Sequence, residues 1–544
     1  MLVGQGAVSL AKAAALAAVT AAAIAWLAAG LPAGAFFSGD SGLKLIAARE
    51  AIAHPDRPFE IDLPRIGERA TPFVDPMVIV HGSHAHALQS PLFPPLSAPF
   101  IAAFGLRGAY VLPALAFVAL YSVLEVLRRL AVPEASPLLL AWLAIAANPV
   151  LFYALEYWEH APAVALLAAG TAAVALAATR SGSSGLAAAG GALVGAGVLL
   201  RPEGAWYAAG LLVTLARPRW LAFGAGAAAV AVPFATANYL HFGNPIGAHA
   251  SAVLGPIGVG FVEARWARAH AWLWPASTLE WSGLLLVTAA WLSTPWVKDL
   301  RVRQLTALLG IAIVTGLAAQ RRMPEGALWQ GFPLALLALV PATSLSSDAR
   351  RLYVLAATAA AGVVLTATND GGAQWGVRYL LIAAPPLLLL AARAATDAAG
   401  AGRWRALRLA AVGLICLAGA MTSRAAFLEL RGAKRSYDGL VTAVAAFTPP
   451  GRIVLTNAWW LDQVAGRLHG SRTFLFVNYA PAAARAIEIV GAERIDDVTL
   501  AWSTAGEAPF PLEAALEGTC FRIATVRDMP LRELRLASVR CDSK

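Results

Sequence analysis

Acidic side chains at two places in the chain could act as general acids or bases. Asp40 follows the first apolar run, and Glu156 and Glu159 stand three residues apart after another run. The Asp40 carboxylate could take a proton from a nucleophile, and it could also cap a helix that begins near Leu43. If their helix continues, Glu156 and Glu159 share one face, where they could bind a metal, activate an acceptor or orient a sugar hydroxyl; alternatively, they mark a solvated helix end.

Two arginines at the borders of apolar runs could bind an anion. Arg201 lies between two such runs, and Arg378 directly precedes a third. A guanidinium can donate two parallel hydrogen bonds to a phosphate that arrives from the lipid headgroup layer, or it can simply reach towards lipid phosphates. Arg378 is the preferred candidate because Gly371, Gly372 and Gly376 precede it, and glycines let the backbone approach a ligand closely.

Three histidines, His81, His84 and His86, lie close together in a polar segment. The His-X-His spacing can bind zinc, but no cysteine lies nearby to complete a zinc site. We interpret these histidines as polar loop residues and predict no metal site from them. A requirement for a divalent metal elsewhere stays open.

The composition identifies the kind of molecule that must position these residues. Of 544 residues, 59% are hydrophobic and 14% are charged, whereas about 25% are charged in ordinary soluble proteins. The apolar residues form solid runs of roughly 17 to 25, the length of a helix that crosses the hydrocarbon layer of a membrane. This pattern predicts a polytopic helical membrane protein and excludes a disordered chain, a disulfide scaffold and a β-barrel.

The positive charge of the chain fits this interpretation. Lys and Arg number 42 against 32 Asp and Glu, giving a net charge of +10. In a soluble protein this excess would suggest nucleic acid, but in a membrane protein it is typical of cytoplasmic turns. We therefore predict a lipid bilayer, and no nucleic acid, as the partner of the basic residues.

Thirteen apolar runs are candidate transmembrane helices. They lie at 11–36, 108–127, 137–154, 161–179, 186–200, 205–216, 220–240, 281–297, 304–319, 331–346, 352–368, 379–395 and 406–423. With the N-terminus inside, every inner turn carries at least one Lys or Arg, as the positive-inside rule requires. The same arrangement places the first loop, residues 38–107, and the C-terminal segment on the outer side.

The outer loop and the C-terminal segment have their own patterns. Residues 43–53 of the loop are predicted to form an amphipathic surface helix, with Leu45 and Ile46 opposite Lys44. From about residue 424 the chain contains five short β-type runs, which predict a small α/β domain. Residues 1–423 are thus the membrane module, and residues 424–544 a separate domain in which Cys520 and Cys541 could pair outside the cytoplasm.

Taken in order, these segments resemble those of the GT-C superfamily of bacterial glycosyltransferases, which use polyprenyl-phosphate sugars as donors, such as the protein mannosyltransferases and aminoarabinose transferases. The resemblance covers about residues 1–400. It depends on Asp40, Ser90–Phe100, Asn148-Pro149 with Glu156–His160, Arg201–Gly204, Asn238–Pro245 and Gly371–Leu380.

The resemblance implies a GT-C-like fold in a bacterial inner membrane with the C-terminal domain in the periplasm. It implies inverting transfer of a sugar to a glycan, lipid or protein acceptor. Asp40 would be the general base, with Glu156 and Glu159 as further acids. The donor phosphate would bind Arg378, with Arg201 and Lys44 as weaker candidates, and His84, His86, Trp375 and Tyr379 would line the donor or acceptor pocket.

One departure from the family pattern concerns the residues after Asp40. Many relatives have a second acid there, whereas this chain has Ser41 and Gly42. The departure argues against a metal held by paired acids in the first loop, and it shifts any second acid to Glu156 or Glu159.

Two other classes of protein also fit a polytopic chain with charges at the membrane border. A transporter or flippase of lipid-linked sugars would favour internal repeats and broken helices near the middle of the bilayer, but no convincing repeat is visible. A non-catalytic membrane scaffold would tolerate replacement of Asp40 and Arg378.

Overall fold

The fold is described from a computed structural model. It covers residues 2–81, 84–146, 148–179, 183–215, 219–247, 261–273, 277–320, 328–342, 345–367, 375–503 and 512–541. The chain is a mainly α membrane protein with a small sheet domain, as predicted. Seven helices in this part of the chain are long and apolar enough to cross a membrane, and five apolar helices are shorter. The count of thirteen membrane spans stays a prediction.

The helices of the described residues follow one another in this order. They are α1 (Leu2–Ala29), α2 (Gly39–Ala53), α3 (Phe93–Phe104), α4 (Val111–Ala131), α5 (Pro137–Ala146), α6 (Val150–Ala154), α7 (His160–Thr179), α8 (Ser184–Leu200), α9 (Gly204–Thr214), α10 (Arg219–Phe242), α11 (Phe261–Leu273), α12 (Thr278–Leu292), α13 (Leu300–Ala318), α14 (Leu328–Gly331), α15 (Ser347–Thr366), α16 (Ala384–Ala398), α17 (Arg405–Phe447), α18 (Trp459–Val464) and α19 (Ala480–Ala492).

Two predicted spans are interrupted in the structure. The run 137–154 is divided into α5 and α6 at Pro149, which lacks the N–H group that a continuous helix needs. The run 331–346 begins with the end of α14 and continues as the 3-10 helix Pro333–Leu339. The prediction of one continuous helix for each of these two runs is wrong. The run 379–395 lies within one apolar helical segment, Arg378–Ala398, whose first residues form the 3-10 helix Arg378–Ala383 before α16.

The chain divides into two compact units. The first, called the helical unit, contains residues 1–28 and 112–429; the second, called the mixed unit, contains residues 29–111 and 430–544. Helix α17 continues through the division after Glu429. The predicted domains, residues 1–423 and 424–544, placed the first loop with the helices, whereas by its contacts this loop belongs to the mixed unit.

Small residues allow the helices of the helical unit to pack closely. A Cβ atom added at Gly191 of α8 would overlap the carbonyl oxygen of Phe223 in α10. The same atom at Gly226 of α10 would overlap the carbonyl oxygen of Ala188 in α8. Such contacts between backbones are typical of membrane helices, where glycine and alanine at the interface bring two helix axes close together.

The mixed unit is built on a five-stranded sheet. Its strands are β5 (Ile453–Thr456), β6 (Thr473–Phe476), β7 (Asp497–Ser503), β8 (Phe521–Met529) and β9 (Leu534–Cys541), one in each predicted β-type run. Their order is β6-β5-β7-β9-β8; β6, β5 and β7 are parallel, and β9 is antiparallel to both β7 and β8. A disulfide between Cys520 and Cys541 joins the ends of β8 and β9.

The first loop packs against this sheet. It contains α2, α3 and two short hairpins, β1 (Arg65–Ile66) with β2 (Arg69–Ala70) and β3 (Val78–His81) with β4 (His84–Ala87). Ile66 and Phe73 are buried in the same apolar cluster as Leu455 and Leu500 of the sheet. This burial of apolar loop side chains is the physical reason that the loop and the sheet form one unit.

Candidate active site

Arg378 lies among aromatic rings in the helical unit. It begins the 3-10 helix Arg378–Ala383. Its guanidinium carbon is 5.7 Å from the centre of the Trp158 ring and 5.4 Å from the centre of the Tyr379 ring. Both distances are within the range of a cation–π interaction. The preceding residues 368–374, including Gly371 and Gly372, lie outside the described residues.

Arg201 also lies near the Tyr379 ring and has carboxylate partners. Its guanidinium carbon is 5.4 Å from the centre of the Tyr379 ring. One of its nitrogens is 3.0 Å from a Glu159 oxygen and another is 2.7 Å from a Glu203 oxygen. Arg201 is only 7% exposed. Arg201, one of the two predicted phosphate-binding arginines, thus forms ion pairs with two carboxylates.

A group of aromatic residues surrounds this arginine pair. The Tyr153 hydroxyl donates to the Trp375 carbonyl oxygen at 3.0 Å and accepts from the Trp375 N–H at 3.2 Å. The Tyr153 ring stacks on Trp158 with centroids 5.3 Å apart, and Phe152 stacks on Trp375 at 6.1 Å. These contacts fix the segment that follows α6 against the segment that precedes Arg378, so the ring faces next to the guanidinium are held in place.

Glu156 and Glu159 lie in a turn rather than on one face of a helix. Helix α6 ends at Ala154 and α7 begins at His160, and the Trp158 N–H donates to the Glu156 carbonyl oxygen between them. Glu156 is 0% and Glu159 1% exposed. The expectation of a continuing helix is wrong, and so is the alternative of a solvated helix end. The two acids are buried, and Glu159 pairs with Arg201.

Asp40 lies in the mixed unit, in the first turn of α2. Helix α2 begins at Gly39 with Ser38 before it, so the prediction that Asp40 caps a helix starting near Leu43 is wrong. An Asp40 oxygen accepts a hydrogen bond from the Gln89 side chain at 3.5 Å. A carboxylate at this end of a helix also faces the positive end of the helix dipole.

The helix that carries Asp40 is a core element of its unit. Ser41 to Ala48 are buried, including Lys44 at 1% exposure, so α2 is not the amphipathic surface helix that the sequence predicted. Lys44 lies one turn after Asp40. A lysine buried on this helix is placed to act within the unit and not at its solvent surface.

Gly39 and Gly42, on either side of Asp40 and Ser41, lie in close contact with α18. A Cβ atom added to Gly42 would overlap the backbone carbonyl oxygen of Gln463 in α18, and one added to Gly39 would overlap the Gln463 side chain. The backbone of α2 therefore approaches α18 more closely than any larger residue allows.

Two buried acids that the sequence analysis missed lie near Asp40 in the mixed unit. Asp75 is 2% exposed; one oxygen accepts from Gln463 and from the Met77 N–H, and the other has no hydrogen-bond partner among the described residues. One oxygen of Asp462 likewise has none. Burial, and then the nearby Asp462 charge, raises the pKa of Asp75 to about 7. Burial also raises the pKa of Asp462.

Asp75 and Asp462 line a cavity of about 320 Å³ within the mixed unit. Leu43 and Ile46 of α2 form part of its wall, and Arg472 and Phe474 form another part. One sequence signal for such a site was present, because Asp462 is an acid that follows three apolar residues at the start of its helix. Asp75 gave no such signal, since its burial depends on segments that are far apart in the chain.

The predicted histidines have different environments. His84 is half-exposed and its Nδ1 lies 2.7 Å from a Glu60 oxygen. His86 is buried, and its Nδ1 lies 3.0 Å from the Phe59 carbonyl oxygen. Both belong to β4 in the mixed unit, whereas Trp375 and Tyr379 belong to the helical unit.

Comparison with known proteins gives matches in structure. No protein-family model matches the chain, and no curated protein matches its sequence. The structure of ArnT from Cupriavidus metallidurans bound to undecaprenyl phosphate matches with a TM-score of 0.54 and 13% identity, covering 97% of both chains. Its apo structure matches with a TM-score of 0.54 and 12% identity, covering 98% of both.

A further match is the archaeal oligosaccharyltransferase AglB from Archaeoglobus fulgidus. It has a TM-score of 0.48 and 14% identity, and the match covers 90% of this chain and 69% of that one. ArnT, an aminoarabinose transferase, is a GT-C glycosyltransferase. The chain therefore has the fold of ArnT, and the resemblance to the GT-C superfamily is confirmed at the level of the fold.

Proposed function

We propose that this protein transfers a sugar from a polyprenyl-phosphate donor to a glycan, lipid or protein acceptor. The observation that carries the proposal is the fold match to ArnT over 97% of both chains, in a structure where ArnT holds undecaprenyl phosphate. The buried arginine and aromatic residues around Tyr379 support it, because a guanidinium held by rings suits a phosphate that enters from lipid.

The proposed reaction is a single inverting displacement. The acceptor hydroxyl oxygen forms a bond to the anomeric carbon of the sugar while the bond from that carbon to the phosphate oxygen breaks. The hydroxyl proton moves to the Asp40 carboxylate, and the phosphate oxygen leaves with the bonding electron pair. Arg378 stabilises the negative charge that grows on the leaving phosphate.

We propose supporting roles for several residues beside Asp40 and Arg378. Arg201, held by Glu159 and Glu203, fixes the Tyr379 ring beside Arg378. Trp375 and Tyr379 line the donor side. Lys44 on α2, Glu156, His84 and His86 remain candidates for contacts with the phosphate or the acceptor.

We place the protein in a bacterial inner membrane with the mixed unit in the periplasm. The Cys520–Cys541 disulfide supports this placement, since disulfides persist in oxidising compartments. The arginines at helix ends, such as Arg128-Arg129 at the end of α4 and Arg350-Arg351 at the start of α15, support a cytoplasmic location for those helix ends.

A transfer assay with the purified protein in nanodiscs tests the proposal. It uses a panel of radiolabelled polyprenyl-phosphate sugars with mixed envelope glycan and lipid acceptors. We expect Asp40→Asn to lower the rate by about 10²- to 10⁴-fold, as for loss of a general base. We expect Arg378→Gln to lower it by about 10²- to 10³-fold, as for loss of one group that stabilises the leaving charge.

Matched variants control for nonspecific damage. Asp496→Asn and Arg350→Gln remove the same charges from exposed positions and are expected to leave the rate unchanged. Movement of the labelled lipid between leaflets with no sugar transferred would contradict the proposal in favour of a transporter. Equal rates for wild type and Asp40→Asn would contradict the role of Asp40.

A further inference from the structure

Two histidines and two carboxylates converge at the C-terminal end of α2 in the mixed unit. Glu50 lies in the last turn of α2 and His54 directly follows that helix, Asp62 comes from the following loop, and His469 follows the 3-10 turn after α18. Ligand atoms of Glu50, His54 and Asp62 all lie within 4.8 Å of one another. The Nε2 atom of His469 is 3.3 Å from the other oxygen of Glu50.

The distances between these side-chain nitrogen and oxygen atoms are close to those between the ligands of one metal ion. His54 Nε2 is 3.9 Å from a Glu50 oxygen and 3.6 Å from an Asp62 oxygen, too far for hydrogen bonds. Ligand atoms at about 2.0 to 2.1 Å from a tetrahedral zinc ion are roughly 3.4 Å apart. A small closing movement of these side chains would therefore give the separations that zinc requires.

The chemistry of the four donors also favours zinc. Imidazole nitrogen and carboxylate oxygen are both zinc ligands, and two of each suit a four-coordinate site. Two carboxylates would supply negative charge for the ion, although Asp62 also pairs with Arg57. Among the described residues, the first three form the one group of three His, Cys, Asp or Glu side chains with ligand atoms so close together.

Neighbouring arginines hold the proposed ligands in position. The Arg57 guanidinium is 2.7 Å from the Asp62 oxygen that faces away from His54, which leaves the second oxygen towards the group. Arg49 donates to the backbone oxygens of Gly466 and Arg467, in the turn that leads to His469. Such outer partners orient the ligands of metal sites.

We propose that Glu50, His54, Asp62 and His469 bind a Zn²⁺ ion that joins the first loop to the C-terminal sheet domain. Asp62 and His469 also line the cavity that contains Asp75, so the ion would form part of its rim. The site would be structural, because side chains of the protein fill all four positions. This proposal does not depend on the proposed sugar transfer.

The test is metal binding by the full-length, untagged protein in detergent. After chelation, one sample is reloaded with Zn²⁺ and dialysed, and its bound Zn²⁺ is measured by mass spectrometry; a second metal-free sample is titrated with Co²⁺ while the visible absorption of a tetrahedral Co²⁺ centre is followed. We expect one equivalent of each metal in the wild type. His54→Ala and Asp62→Asn should each weaken binding more than about 10-fold, since even an outer partner contributes about 10- to 100-fold.

His84→Ala is the matched control, because it removes a half-exposed histidine from the same loop and should leave binding unchanged. Thermal unfolding provides a second readout, in which Zn²⁺ should raise the midpoint for the wild type and His84→Ala but not for Asp62→Asn. Wild-type binding no stronger than that of the His54→Ala/Asp62→Asn double variant would overturn the proposal. So would equal weakening in His84→Ala.

Discussion

The two compact units hold buried charge in different ways. In the helical unit, the buried Arg201 lies within hydrogen-bond distance of Glu159 and Glu203. In the mixed unit, the buried Asp75 and its neighbour Asp462 each have an oxygen without a hydrogen-bond partner among the described residues. The first group brings a cation together with carboxylates, whereas in the second the Asp75 carboxylate lies beside another acid.

The Arg201 ion pairs and the acids Asp75 and Asp462 are therefore expected to have different roles. A charge that is fully paired inside the protein positions its neighbours, and removing one partner leaves the others buried and uncompensated. A buried carboxylate with an unpaired oxygen already lowers the stability of the wild-type protein. Acids in such surroundings, with a raised pKa and a cavity beside them, are commonly found where a protein binds or reacts.

The largest effect is expected from breaking the paired group. Arg201→Gln removes the cation and leaves Glu159 and Glu203 without their partner, so we expect unfolding to become easier by about 3 to 5 kcal/mol. The measurement is chemical or thermal unfolding of the purified protein in detergent. Transfer activity should fall as well, because Tyr379 loses the guanidinium on one side.

An exposed pair provides the control for this prediction. Arg351 lies 2.8 Å from Asp348, and both side chains are about half-exposed. Arg351→Gln should change the free energy of unfolding by at most about 1 kcal/mol, the range for surface ion pairs. Similar losses for the two variants would show that the Arg201 group is not the buried, coupled set described above.

A smaller effect is expected where α2 meets α18. Gly42→Ala places a methyl group against the Gln463 carbonyl oxygen, so α2 must move. We expect a loss of about 1 to 3 kcal/mol in the free energy of unfolding, typical of overpacking, and a lower transfer rate because Asp40 moves with its helix. Unfolding and transfer assays on one preparation measure both.

Gly439→Ala is the matched variant for Gly42. Gly439 lies in the part of α17 that belongs to the mixed unit, and a Cβ atom there meets no neighbour within 4 Å. Alanine should stabilise this helix by up to about 1 kcal/mol, because glycine is the weaker helix former. A stable, fully active Gly42→Ala protein would contradict the tight contact between α2 and α18.

The parts of this molecule that could be predicted from sequence are those set by local pattern. Long apolar runs identified membrane helices, and five short β-type runs each contain a strand of the sheet. Pro149 and Pro333, where two predicted helices are interrupted, can be read from the sequence. The long apolar runs around them nevertheless favoured one continuous helix in each case. Local sequence pattern therefore predicted which helices and strands form better than it predicted where a helix is interrupted.

The features that were not predicted depend on contacts between distant segments. The first loop was assigned to the membrane module because it interrupts the spans, yet its Ile66 and Phe73 lie in the core of the sheet. The close contact of Gly42 with Gln463 could not be predicted either, because the two residues are far apart in the chain. Asp75 could not be recognised, because its environment comes from residues such as Asp462 at the other end of the chain.

The smallest effect, and one of opposite sign, is expected from Asp75→Asn. The pKa of Asp75 is raised to about 7 by burial and by Asp462, so between pH 4 and 7 the unfolded chain is ionised there while the folded protein keeps the proton. Each pH unit in this window lowers the stability of the wild type by up to about 1.4 kcal/mol, and the penalty is constant above it. Asparagine removes this penalty, so the advantage of Asp75→Asn in unfolding free energy should grow by up to about 2.6 kcal/mol from pH 5 to pH 8. An advantage that shrank as the pH rose would mean that the Asp75 carboxylate is paired after all, and the contrast with Arg201 would disappear.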